Sequence, residues 1–204
     1  MTKSANRNNK VVRPSVKEAE AAVRTLIAWA GDNPNREGLL ETPKRVVNAY
    51  REFFSGYDVN PDEILGKTFE DVGGYDDIVL LKDMRVESHC EHHMVPFIGK
   101  AHIAYIPNKK VVGISKIARL LDVYGKRLQT QETMTAQIAD TINKVLKPKG
   151  VAVIIDAKHQ CMTTRGIHKI NTTTITKRML GSFKNDPEME KKLLSLIKLD
   201  SSQC

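Results

Sequence analysis

The stretch Ser88-His89-Cys90-Glu91-His92-His93 gathers three of the chain's six histidines around one of its three cysteines. Cys90 and His93 stand in C-x-x-H spacing, so one tight turn can aim a sulfur and an imidazole at a common point, a borderline-soft pair suited to Zn2+. A second cluster, Lys158-His159-Gln160-Cys161, ends the β-branched, apolar run 151–161, which reads as a strand. On a strand alternate residues share a face, so His159 and Cys161 are expected to point the same way. Closing both clusters on one ion gives Cys90, His93 and Cys161 as ligands, with His92 and His159 beside it. Three protein ligands leave the fourth tetrahedral position to water, the arrangement of a catalytic zinc, which lowers the water's pKa to about 7. The flanking imidazoles can then move protons. The same residues also fit a buried cysteine pair with surface histidines, since the second C-x-x-C half of a common zinc site is missing.

Other residue types suit an anionic, nitrogen-rich ligand. Ser115-Lys116-x-x-Arg119 puts a lysine and an arginine one turn apart on a helix, where both can reach phosphate. Arg165, beside Gly166, could approach the same anion. Gln131-Glu132 precedes a helix, and Glu132 could accept two hydrogen bonds from the N1–H and 2-amino edge of guanine. The plainer alternatives are basic residues facing water and a glutamate favoured by the helix dipole. No Walker loop is present to cradle phosphates.

These residues need a scaffold, and the chain supplies one. Its 204 residues, 41% hydrophobic and 27% charged, suit one compact domain with an appendage and exclude disorder over most of the length. No apolar run is long enough to span a bilayer, and the polar start MTKSANRNNKVVRP lacks a secretory segment, so a cytoplasmic protein is expected. Three cysteines without such a segment argue against a disulfide framework, and Cys204 falls in a tail and receives no role. Lys3, Arg7, Lys10 and Arg13 carry half of the formal net charge of +8, a balance that suits nucleic acid, a membrane surface or a small polyanion alike.

Ser15-Val16-Lys17-Glu18 is a capping box opening a helix, and Thr42-Pro43 opens a second. Three segments are predicted: a disordered basic tail over 1–14, a helical region over 15–72, and a main domain over 73–204 beginning at Gly73-Gly74. In the last, strands are expected over 78–86, 98–106, 151–161 and 172–179. Helices are expected over 115–126 and 133–147, with a short one from Asp186-Pro187 to about Leu199. The order β-β-α-α-β-β after a helical arm predicts an α+β fold with a mostly antiparallel sheet.

Taken in order, CEHH at 90–93, GISKIARL at 113–120, QTQE at 129–132 and HQCMTTRG at 159–166 closely resemble the GTP cyclohydrolase I family. The likeness covers about residues 16–183, and EGLLETPKRV at 37–46 resembles the family's helical region. The resemblance implies a tunnelling fold, with sheets of neighbouring subunits joined into a ring and two pentamers stacked as a homodecamer. It implies Cys90, His93 and Cys161 as zinc ligands, His92 and His159 as proton-transfer residues, and Ser115 in a later rearrangement. Gln131 and Glu132 match the guanine-binding pair, and Lys116, Arg119 and Arg165 match triphosphate contacts, with Arg45 an addition. Asn48 stands where some members carry a further basic residue. The implied reaction is hydrolysis of GTP at guanine C8, giving formate and dihydroneopterin triphosphate, with neither nucleic acid nor membrane as partner.

Two other classes compete. A related tunnelling-fold enzyme can use a nucleophilic cysteine without zinc, which the intact Cys90/His93/Cys161 set argues against. A zinc-stabilised nucleic-acid-binding module would want interleaved aromatics, which make up only 5% of this chain.

Overall fold

The computed structural model describes residues 12–69 and 74–198. Most of the basic tail, Gly73 of the expected boundary, Leu199 and Cys204 lie outside the described residues. The chain divides into two compact units, one running to Glu52 and the other starting at Phe53.

In the first unit, α1 (Val16–Trp29) opens on the capping box read from the sequence. Ser15 Oγ accepts from the Glu18 backbone N–H at 3.3 Å, and the Glu18 carboxylate accepts from the Ser15 N–H at 2.7 Å. A 3-10 turn at Glu37–Leu39 follows, and then α2 (Thr42–Phe53), which starts at Thr42 and crosses into the second unit.

The second unit begins with a 3-10 turn at Ser55–Asp58, then α3 (Pro61–Ile64) and β1 (Thr68–Phe69). Next come the long strands β2 (Val79–Cys90) and β3 (Pro96–Ile106), and the short β4 (Val111–Val112), which pairs with β1. The helix α4 (Ile114–Gly125), the short β5 (Leu128–Gln129) and α5 (Gln131–Leu146) complete the middle of the chain. Beyond them lie β6 (Gly150–His159), the helical turn α6 (Gln160–Thr163), β7 (Thr174–Gly181), α7 (Ser182–Asn185) and α8 (Pro187–Lys198).

The main sheet has the order β5-β2-β3-β6-β7 and is antiparallel except where β5 runs parallel to β2. Along β3 and β6, alternate side chains Phe97, Ala101, Ile103, Val153 and Ile155 pack onto one face, against Ile117, Leu120, Met134, Ile138 and Ile142 of α4 and α5. The opposite face buries Ala104, Ile106 and Ala152 under Phe183 and Leu193 of the C-terminal helices. This is the expected α+β architecture, an antiparallel sheet with two helices on one face.

Two backbone features set the register near the site. Gly99 lies where β3 and β6 approach so closely that a Cβ would fall 2.0 Å from Asp156 O. A bulge between Leu81 and Met84 puts Asp83 at φ 57°, and its N–H donates to His102 Nδ1 at 3.2 Å.

Candidate metal and nucleotide site

The side chains of Cys90, His159 and Cys161 converge at one end of the sheet. β2 is longer than the sequence pattern indicates and carries His89 and Cys90 as its last residues, because pairing with β3 continues to His89↔Pro96 and the parallel pair Cys90↔Gln129 adds one more. The chain then reverses on Cys90. Its carbonyl accepts from the N–H groups of His93 (3.3 Å) and Met94 (2.8 Å), and its own N–H donates to Val95 O at 2.9 Å. Met94 takes φ 54° to close this turn.

β6 ends where its pairing with β3 ends. Phe97↔His159 is its last pair with β3, and the chain there turns into α6, so Cys161 sits on a helical turn instead of the expected strand. The side chains nonetheless meet. Cys90 Sγ, Cys161 Sγ and an imidazole nitrogen of His159 all lie within 4.8 Å of one another, with Cys90 buried and the other two half-buried. Two thiols and an imidazole form a donor set that fits zinc. Burial pushes the Cys161 thiol pKa up, the neighbouring Cys90 adds to that, and Arg165 pulls the other way. A bound cation reverses this penalty by stabilising thiolate directly.

His93 and His92 stand beside the group without being part of it. His93 Nε2 lies 3.2 Å from Arg165 Nη1, and His92 Nδ1 lies 3.8 Å from Cys90 Sγ. The two imidazoles meet edge to face, with centroids 6.3 Å apart. Gly166, at φ 64°, begins the loop that follows Arg165, and Lys169 N–H returns to Met162 O at 2.8 Å.

Gln131 and Glu132 open α5 under the Thr130 cap and face opposite ways. Glu132 is exposed, and its charge opposes the burial that lowers the His159 pKa. Gln131 is 1% exposed, and its Oε1 lies 2.8 Å from His159 Nε2. Phe97 stacks on the same imidazole at 4.6 Å between centroids and 11° between planes. Phe97, Thr135 and Thr176 around this residue pair were not visible in the sequence reading. Only Thr135, four residues after Gln131 on the same helix face, left a usable signal.

Ser115 and Arg119 are exposed and Lys116 half-buried on the first turns of α4. Lys116 and Arg119 form no ion pair among the described residues and are available to an anion. Arg119 also lines a hollow of about 250 Å³ with Ser55, Gly56 and Asp122. Arg45, exposed on α2, belongs to the first unit. No described helix is long and apolar enough to cross a membrane.

Comparison with known proteins gives a consistent result. A profile of the GTP cyclohydrolase I family matches residues 19–198. The chain is 63% identical over 185 residues to a "GTP cyclohydrolase 1" of Maricaulis maris, covering 91% of this chain and 90% of the relative. It is 60% identical over 194 residues to a protein of the same name from Hyphomonas neptunium, covering 95% and 94%. Among solved structures, the apo form of an archaeosine synthase QueF-Like aligns with a TM-score of 0.41 and 20% identity, over 51% of this chain and 93% of that one.

Proposed function

The chain belongs to the GTP cyclohydrolase I family, and on that premise we propose that it hydrolyses GTP at guanine C8, yielding formate and 7,8-dihydroneopterin triphosphate. The observation that carries this reading is the meeting of Cys90, His159 and Cys161 beside the Gln131–Glu132 helix start.

Cys90 and Cys161, with His93 as the third ligand that the family resemblance implies, would hold Zn2+. When bound, zinc supplies the Lewis acidity that makes water nucleophilic near neutral pH. The remaining steps fall to the chain. Glu132, exposed at the start of α5, accepts the N1–H and 2-amino hydrogens of guanine and orients C8. Burial keeps His159 neutral at physiological pH, so it takes a proton from the attacking water and passes it to N7. The C8–N9 bond then breaks to leave a formamide on N7, and a second water cleaves the C8–N7 bond, so that C8 leaves as formate and N7 becomes a free amine. His92 and Ser115 serve the later proton transfers as the ribose opens, rearranges and closes onto the freed amine. Lys116, Arg119 and Arg165 anchor the triphosphate, which is never cleaved, so remote charge positions the ring.

The protein is proposed to act in the cytoplasm as a homodecamer of two pentamers. Among the described residues β7 pairs only with β6, and residues 79–88 of β2 pair only with β3, leaving two sheet edges that neighbouring copies can pair. Incubation of the purified protein with GTP, followed by oxidation, tests the activity. Neopterin fluorescence with stoichiometric formate is expected, and absence of both rejects the reading.

A further inference from the structure

The Gln131 amide is surrounded in a way that fixes every hydrogen-bond direction around it. Its Nε2 lies 3.0 Å from Ile155 O and 2.8 Å from Thr174 O, and both carbonyls can only accept. A third acceptor, Thr176 Oγ1, lies at 3.1 Å. The Thr176 hydroxyl hydrogen is directed to Thr135 Oγ1 at 2.7 Å, because Thr135 spends its own on Gln131 O, also at 2.7 Å. With the NH2 end committed to carbonyls, the opposite end of the amide is oxygen. That oxygen, 2.8 Å from His159 Nε2, can only accept, so the ring nitrogen facing it must carry hydrogen.

From this network we propose that Gln131 is a positioning residue that holds His159 as the Nε2–H tautomer, so that Nδ1 is the nitrogen of the neutral ring left without hydrogen. The proposal rests on the reading of His159 as the proton-transfer residue. It gives Gln131 a different task from the guanine contact implied by family resemblance, since its side chain is 1% exposed and both amide ends are already engaged within the protein. Phe97, stacked on the ring face and itself fully buried, fixes the tilt while Gln131 fixes the in-plane rotation. Other metal and acid–base sites orient imidazoles in the same way, through an acceptor on the nitrogen that does no chemistry.

The test is 15N solid-state NMR on the zinc-loaded protein labelled at histidine nitrogen, with His159 assigned by its disappearance in His159→Gln. A protonated Nε2 and an unprotonated Nδ1 are expected. An Nδ1–H tautomer in the unmodified protein overturns the proposal, and this measurement needs no variant to fold. Gln131→Met should lose the single-tautomer signature and lower kcat for GTP by about 10- to 100-fold, with KM changed less than about threefold. A raised KM with kcat and tautomer unchanged would return Gln131 to the role of a guanine contact and overturn the proposal. Should the protein not turn over GTP at all, the functional reading fails, while the tautomer is still read directly from the spectrum.

Discussion

Arg165 Nη1 stands 3.2 Å from His93 Nε2, and because a guanidinium has only donors, the imidazole accepts. His93 therefore presents a lone pair at that nitrogen, as a metal ligand must. One lone pair cannot serve a guanidinium and a metal ion together, so a metal ion held at that nitrogen would displace Arg165 from it.

Zinc should bind at about one per chain, and Cys161→Ala should lose it, as read by metal analysis. Affinity should fall as pH falls, since both thiols must be deprotonated and burial already holds the Cys161 pKa above its ordinary value. With two protons displaced, the limiting dependence is about 100-fold per pH unit below the thiol pKa values. Competition titrations with a chelator across pH measure this slope. A flat profile, or full metal retention in Cys161→Ala, contradicts the ligand assignment.

Glu132→Gln exchanges one acceptor oxygen for a donor facing the guanine N–H edge, at a cost of about 2–3 kcal/mol, or about 30- to 150-fold in kcat/KM. Zinc content should stay constant. Arg165→Ala should instead weaken GTP far more than guanosine, which lacks the triphosphate. Binding of both ligands to both variants separates base recognition from charge anchoring, and normal turnover by Glu132→Gln would mean the pocket is misplaced.

His102 is half-buried on β3, and burial lowers its pKa below 6.5, helped by the charges of Lys100 and Lys82 and opposed by those of Asp83 and Asp156. The unfolded chain therefore takes up this proton first as pH falls through 6.5, and stability drops until the lower folded pKa is passed. Protonation would also break the bond that Nδ1 accepts from Asp83 N–H. Urea midpoints at about pH 7.5 and about pH 5.5 should show the loss, and His102→Gln should reduce it. An equal slope in the variant assigns the effect elsewhere.

Gly99→Ala forces a Cβ to 2.0 Å from Asp156 O and 2.8 Å from Ala157 Cβ, contacts that only separation of β3 and β6 relieves. A loss of about 1–3 kcal/mol in unfolding free energy is expected. Zinc affinity should fall as well, because the displaced pairing is continuous with Phe97↔His159. Unchanged midpoints would show that the strands can part at no cost.

Sedimentation velocity should find a large homo-oligomer, since two sheet edges of this length are rarely left open in solution. A fully active monomer would count against pairing through those edges.

What could be read from the sequence was local. The Ser15–Glu18 box and the apolar stripe of α5 depend on neighbours a few residues apart, and each corresponds to a feature of the structure. The extension of β2 to Cys90 was not legible, because it needs Gln129 alongside, and Cys161 leaves its strand only because pairing with β3 stops at Phe97. The inward turn of Gln131 was equally hidden. Its acceptors, Ile155, Thr174 and Thr176, come from two later strands whose register no short window contains.

The pairing of β3 with β6 also carries a consequence for the order of events during synthesis. Cys90 leaves the ribosome well before Cys161, and nothing local joins them; they meet only when β6 has zipped onto β3 as far as the Phe97↔His159 pair. Such non-local pairing is slow, because chain entropy is lost before contacts compensate for it. The nascent chain thus holds a half-made set of thiols that can neither grip a metal ion firmly nor be shielded from oxidants, and capture of a metal ion there would report that β6 has docked on β3.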